Sequence, residues 1–282
     1  MDQWPRNHRD LKANVPPQIL GIVNITEDSF SDGGRFLAPE QAIAQAVALV
    51  EAGADIIDLG PASSHPDARP VTADEEIRRL APVIDALSVP GIAISVDSFL
   101  PETQRYAMAR GVAYLNDIQG FADAEIYLDL AANRCRLIVM HAIQGRGIAT
   151  RAESDPQTIT ERVGHFFQRR ISELEQAGVG RDRLILDPGM GFFLGDQPEA
   201  SLNMLRGLKA LREQFGLPVL VSVSRKSFLR ALTGRGVAQA GAATLAAELF
   251  AAAQGVDYIR THDAGSLRDG LKIWSALQEE NS

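Results

Sequence analysis

Eight short apolar runs recur along this chain, and longer segments separate them in which apolar residues return every three or four positions. The runs are ILGIVN (19–24), ADIIDLG (54–60), IAISVD (92–97), VAYLND (112–117), RLIVMH (136–141), RLILD (183–187), LPVLVSVS (217–224) and VDYIRTH (256–262). Runs of this length read as strands. Segments such as PEQAIAQAVALVEAG, ADEEIRRLAPVIDAL and AATLAAELFAAAQG read as helices. Several of these end at Gly, as in EAGAD, EQAGV and AQGVD, where a left-handed residue closes the helix before the next strand. Strand then helix, eight times over, predicts a single parallel α/β barrel of the (β/α)8 or TIM type. The expected organisation is an N-terminal extension over residues 1–17 and one barrel domain over 18–282. The irregular connection 144–158 reads as a mobile surface loop.

Composition narrows the partners. The 282 residues carry a formal net charge of −8, with 45% hydrophobic and 23% charged residues. An acidic chain of this kind argues against a nucleic acid or an anionic membrane as partner. An anionic substrate would need a local cationic cluster. The single cysteine, Cys135, excludes an internal disulfide and reads as a buried, inert thiol. No run reaches the roughly 18 apolar residues of a membrane span and the start lacks a signal-peptide core, so a cytosolic protein is expected.

In such a barrel the strands deliver their last residues to the active-site rim. Those residues are Asn24, Gly60, Asp97, Asn116 with Asp117, His141, Asp187, Ser224-Arg225-Lys226, and Arg260 with His262. Stability alone does not explain so many polar ends converging, because each buried polar group costs free energy unless it is paired. Asp97, Asn116 and Asp187 suit a flat heterocycle that presents neighbouring N–H donors, a base-like or pterin-like ligand. Lys226, Arg260 and His262 form the cationic cluster that an anionic leaving group such as diphosphate requires. Asn24 offers an oxygen to Mg²⁺, which would arrive with the substrate and share phosphate oxygens and water.

GIVNITEDSFSDGG, DIIDLGPASSHPDA, SVDS, YLNDI, VMH, LDPGMGF, SVSRKS and IRTHD, in that order between residues 19 and 263, together resemble the dihydropteroate synthase family. GPASSHPDARPV, RYAMARGVAYLNDIQGF and DPGMGFFLG through SVSRKSFLRALTGRG look like its drug-insensitive members, carried on mobile elements and associated with sulfonamide resistance. The resemblance implies condensation of 6-hydroxymethyl-7,8-dihydropterin diphosphate with 4-aminobenzoate, giving dihydropteroate and diphosphate in a homodimeric enzyme. It places the pterin among Asp97, Asn116, Asp187 and Lys226, with Met140 and Phe192 as further substrate contacts. The diphosphate and Mg²⁺ fall to Asn24, Ser64, Arg260 and His262. Residues 28–34 correspond to the family's first mobile loop, which brings Asp32 towards the reacting centre and, with loop 61–70, closes over the diphosphate. Phe30 and Pro66 are expected along the aminobenzoate ring, and Ser227 at its carboxylate.

Two places depart from the common family pattern. The second loop reads ASSHPD where ESTRPG is usual, so His65 replaces an arginine, and Arg69 or Arg35 is a candidate substitute. After Phe192, Phe193 and Leu194 add apolar bulk, and the two departures together are expected to reshape the aminobenzoate rim so that substrate enters while the longer sulfonamides clash. Among the other carboxylates, Asp58 reads equally as a buried hydrogen-bonding group or as part of the pterin environment. Asp117 is expected to support Asn116, His141 to shape the pocket floor, and Asp74-Glu75-Glu76 to be a helix N-terminal turn favoured by the dipole. His8 and His165 read as surface residues. The competing functions are a methyltetrahydrofolate methyltransferase relative, a Schiff-base aldolase using Lys226, and a non-catalytic pterin-binding barrel.

Overall fold

The computed structural model describes residues 15–26, 38–88, 91–144, 147–149 and 154–279. Within them, strands and helices alternate as expected, except that two helices stand between the seventh and eighth strands. The strands are β1 (Gln18–Asn24), β2 (Ile56–Gly60), β3 (Ala93–Asp97), β4 (Tyr114–Asp117), β5 (Arg136–Met140), β6 (Leu184–Asp187), β7 (Leu220–Val221) and β8 (Tyr258–Thr261). The helices are α1 (Pro39–Glu51), α2 (Ala73–Ser88), α3 (Pro101–Ala109), α4 (Tyr127–Ala132), α5 (Ile159–Gln176), α6 (Pro198–Phe215), α7 (Ser227–Thr233), α8 (Gly241–Ala253) and α9 (Ala264–Glu279).

From β1 to β6 each strand pairs in parallel with the next, β1 also pairs with β8, and β8 with β7. A parallel bridge between Leu186 and Val219 joins β6 to the chain just ahead of β7 and closes the (β/α)8 barrel. β7 is far shorter than the apolar run 217–224 predicts: only Leu220 and Val221 are strand. Pro218 lacks an N–H for the ladder, although its carbonyl accepts from Leu186 N at 2.9 Å.

Side chains alternate across a strand, and this period of two builds the interior in layers. Leu20, Ile56, Tyr114, Ile138, Ile185, Leu220 and Tyr258 pack together as a plug inside the barrel. The outward residues of the same strands, such as Ile19, Ile57, Val96, Leu115, Val139, Leu186 and Ile259, join the larger core beneath the helices. Two residues further along each strand, the inward positions become Ile22, Asp58, Asn116, Met140, Asp187, Ser222 and Arg260. An apolar plug thus carries a polar floor.

The connections above this floor are partly fixed. Arg79 of α2 donates to the Pro61 carbonyl and bonds Glu75 at 2.5 Å, while Arg69 reaches the same Glu75 at 3.0 Å, which ties loop 61–70 to α2. Glu76, expected only to complement the helix dipole, is buried and accepts from Ser98 Oγ at 2.5 Å, so it braces the turn after β3. Within 144–158, Ala149 and Ser154 are buried, Ala149 N donating to Ser64 O at 3.1 Å and Ser154 Oγ to Leu194 O, while Asp155, Gln157 and Thr158 are exposed. Residues 1–14 of the proposed extension lie outside the described residues.

Candidate active site

A cavity of about 330 Å³ opens at the carboxyl ends of the strands. Asn24, Asp97, Lys226, Arg260 and His262 line it, although 24 and 262 stand near opposite ends of the sequence. Ser64, Pro66, Phe192 and Ser227 line it too, supplied by the second loop, the segment after β6 and the start of α7. Asn116, Met140 and Asp187 do not reach its surface but are buried beside it. Asn116 is paired in register with Asp97, and Met140 with Asp187. Asp32, Phe30 and Arg35 lie outside the described residues.

The carboxylates expected to meet the heterocycle and the cations expected to meet the leaving group are paired with one another. Arg260 donates from Nε to Asp58 Oδ2 at 2.6 Å and from Nη2 to Asp97 Oδ2 at 2.9 Å. The cation is locked to the floor. Asp58, left between two readings by the sequence, is fully buried and is the anchor of this pair, and its other oxygen has no partner among the described residues. Burial, reinforced by Asp58 and Asp117 and opposed by Arg260 and Lys226, raises the Asp97 proton affinity well above the usual carboxylate range. Burial likewise lifts Asp187 to about 6, against a bond from Gly189 N to its Oδ1 at 2.8 Å.

Lys226 is pulled down to about 8, chiefly by burial and then by Arg260, with Asp187 and Asp97 opposing. Its ammonium sits 5.0 Å from the centre of the Phe193 ring, a separation at which the ring face attracts a cation. His262 was expected in the cationic cluster, and here the structure differs. Burial, with Arg225, Arg260 and Lys226 nearby, drops its pKa to about 3, so the imidazole is neutral. Ser224 Oγ accepts from the His262 backbone N–H at 3.3 Å and lies 2.9 Å from Nδ1. With Ser224 donating to Nδ1, the proton stays on Nε2, and the ring serves as a neutral donor rather than a charge.

Two strand ends turn away. Asp117 accepts from Gln104 Nε2 of α3 at 2.8 Å and from Gln119 N at 2.7 Å, so it fixes the turn after β4 instead of supporting Asn116. His141 faces the Pro188 carbonyl at 3.2 Å and the edge of Phe166; burial lowers it to about 4 and keeps it neutral behind the floor. Both stand one position past an inward residue, which is the physical reason. Leu194, expected at the rim, is wholly buried in the outer core, whereas Phe192 and Phe193 line the cavity. His65 is exposed, its ring edge-on to Phe192 at 6.2 Å, and Arg69 is committed to Glu75.

Ser222 was missed by the sequence reading. It lines the cavity and its buried hydroxyl has no partner among the described residues. The alternation L-V-S-V-S carried the signal, since Ser222 and Ser224 follow Leu220 at a spacing of two. Asn116 Oδ1 and Ser95 Oγ are buried and unpartnered in the same way.

The family model described as pterin binding enzyme matches residues 20–262. The type-2 dihydropteroate synthase of Escherichia coli is 61% identical over 261 residues, covering 93% of this chain and 96% of that protein. A Xanthomonas albilineans dihydropteroate synthase solved with 4-aminobenzoic acid matches with a TM-score of 0.85 at 37% identity, covering 93% of each chain. A structure of dihydropteroate synthase from the same organism in complex with 7,8-dihydropteroate matches with a TM-score of 0.81 at 36% identity, covering 93% of this chain and 94% of that one. Barrel, polar floor and near-complete coverage at such identities lead to one conclusion: the chain belongs to the dihydropteroate synthase family of group-transfer enzymes.

Proposed function

We propose that this chain condenses 6-hydroxymethyl-7,8-dihydropterin diphosphate with 4-aminobenzoate, and that it does so in the presence of sulfonamides. The observation that carries the first part is the floor itself: buried oxygens of Asn116 and Asp58 have no partner among the described residues, beside Asp97 and Asp187, which face one guanidinium and one ammonium. Hydrogen-bonding atoms left unpartnered in a buried site cost about 1–3 kcal/mol each. A pterin edge, rich in N–H donors beside ring acceptors, satisfies them together. Asp187 and Asp97 accept from that edge, Asn116 accepts and donates, and Lys226 donates to a ring acceptor.

In the reaction the bond between the pterin methylene carbon and the diphosphate oxygen breaks, with the electron pair leaving on oxygen. The aniline nitrogen of 4-aminobenzoate then forms the new C–N bond and loses a proton to solvent. The protein's share is positioning and charge stabilisation. His262 donates Nε2–H towards the leaving group, Arg260 and Lys226 supply positive potential beneath it, and Ser64 donates from the second loop. Ser227 meets the aminobenzoate carboxylate, while Pro66 and Phe192 flank its ring; Asp32 and Phe30 would complete this pocket from the first loop.

Mg²⁺ fits the mouth of the site. Asn24 is exposed there, and its Oδ1 lies 3.2 Å from where a Cβ on Gly60 would stand, so glycine leaves that oxygen clear. Among the described residues no group of three or more His, Cys, Asp or Glu could hold a metal. One neutral oxygen suits Mg²⁺, which keeps waters and takes its remaining ligands from phosphates. When bound, the ion neutralises charge on the departing diphosphate. We also assign homodimer formation to exposed apolar residues on α8 and α9, Phe250, Ile273, Trp274 and Leu277. Among the described residues no helix is long and apolar enough to cross a membrane.

Sulfonamide insensitivity rests on the two departures. Phe193 is buried among Ile118, Met140, Ala142 and Ala149 and presses on Lys226, while Phe192 meets His65 across the mouth. Bulk there narrows the rim where a substituent longer than the aminobenzoate carboxylate must pass. Diphosphate release with both substrates, repeated with rising sulfamethoxazole, tests the whole reading. No release rejects the synthase. Release from a variant carrying the common sequences in loop 61–70 and at 190–195 should be inhibited by the drug; unchanged inhibition would reject the role of these segments.

A further inference from the structure

We infer that Thr244 and Glu248, one turn apart on the buried face of α8, are positioning residues for this reaction, holding from behind the barrel wall the β7–α7 loop and β8 that carry Lys226, Arg260 and His262. The inference rests on the synthase reading above.

The composition of α8 raises the question. Its sequence is GAATLAAELFAAA, and its buried residues are Thr244, Glu248 and Ala251. A helix packed on a barrel ordinarily turns apolar residues inwards, because a buried polar group needs a partner. Alanine and leucine are plentiful on this helix, yet two of the three buried places hold a hydroxyl and a carboxyl. Both groups, with Ser224, Arg225, Asp263 and Ser266, line a second cavity of about 400 Å³ behind the active-site loop.

Each makes one contact to a segment that carries site residues. Thr244 Oγ1 accepts from the backbone N–H of Arg225 at 3.2 Å. Arg225 has φ of 59°, a left-handed conformation that among the described non-glycine residues only Phe121 shares. Such a conformation costs about 1–3 kcal/mol and persists where the surroundings hold it. Lys226 follows directly, so releasing that corner moves the ammonium. Glu248 lies beside Thr261, whose fully buried hydroxyl stands between Arg260 and His262 in sequence and accepts from Asp263 N at 3.2 Å. Glu248 Oε1 is buried and has no partner among the described residues. Burial holds the carboxyl in its neutral form, so it braces β8 without placing a competing anion behind Arg260.

Neither residue lines the active-site cavity, so each acts only through the backbone or side chain it holds. The experiment measures diphosphate release by the full-length enzyme with dihydropterin diphosphate and 4-aminobenzoate varied separately. Wild-type turnover establishes the underlying reading; its absence would sink that reading rather than this inference. Thr244→Val and Glu248→Leu are expected to raise KM for dihydropterin diphosphate about five- to ten-fold, the effect of one hydrogen bond. Thr244→Ser and Glu248→Gln retain the contacts and should stay within about two-fold of wild type. If Glu248→Leu does not accumulate as folded protein, the Thr244 pair decides. An active wild type alongside a Thr244→Val enzyme that loses thermal stability with KM and kcat unchanged overturns the inference, as does a Thr244→Ser enzyme as impaired as Thr244→Val.

Discussion

Replacing Asp58 tests whether the site is held together by its own charges. Asp58 is fully buried and receives Arg260 Nε at 2.6 Å, while Asp97 takes Nη2 at 2.9 Å. Three carboxylates, Asp58, Asp97 and Asp187, share two cations, Arg260 and Lys226. With all five ionised the cluster holds one excess negative charge, which agrees with the raised proton affinity of Asp97. Asp58→Ala therefore has two opposed effects. Removing one partner of a buried pair costs about 3–5 kcal/mol, because the guanidinium stays buried with one carboxylate fewer. Balancing the remaining charges two against two returns about 1 kcal/mol by easing ionisation of Asp97, since tenfold in proton affinity is worth about 1.4 kcal/mol.

The expected net loss is roughly 2–4 kcal/mol, a fall in Tm on the order of 5–10 °C for a chain of this size. Asp58→Asn leaves an acceptor in place and lacks only the charge, so it should lose about 1–2 kcal/mol. Scanning calorimetry of the ligand-free protein at neutral pH would rank the three proteins. Carboxyl-carbon NMR would follow Asp97, whose titration should move to lower pH in both variants. Shifts under about 1 °C in Asp58→Ala, or an Asp97 titration that does not move, would refute the shared-charge argument.

Gly189→Ala should destabilise strongly, by about 2–4 kcal/mol, because φ there is +73° and a Cβ would stand 2.5 Å from the His141 carbonyl oxygen; urea titration of the variant measures it. Glu248→Gln should become more stable than wild type as pH rises. The folded state holds the Glu248 proton until about pH 8, with Asp263 adding to the effect of burial, whereas the unfolded chain loses it near 4.5. The folded state thus binds more protons across that window and wild type loses on the order of 4 kcal/mol that the glutamine does not; the difference in Tm between the two proteins at pH 5 and pH 8 reads it. Chelation of Mg²⁺ should suppress diphosphate release while leaving binding of a pterin without diphosphate unchanged, measured by calorimetric titration with and without EDTA.

The eightfold order and nearly all the strands could be read from apolar runs alone, because burial on both faces leaves a parallel strand little choice of residue. β7 shows where that signal stops, since apolar content in 217–224 reports burial and not ladder pairing, which Pro218 interrupts. Within the site, the rule that strand ends carry function was too coarse by one residue. Asp117 ends β4 and His141 follows the end of β5, yet they face outwards to Gln104 and Pro188, whereas Asp58, two before the end of β2, faces in. Parity supplies the correction. Counting in twos from the seven plug residues gives the inward polar residues Asp58, Asn116, Asp187, Ser222 and Arg260, together with the apolar Ile22 and Met140. Pairing lies beyond that count. Nothing in the string of residues says that Arg260 is shared by Asp58 and Asp97, or that burial leaves His262 neutral, because both depend on distances across the barrel and on how little water reaches them.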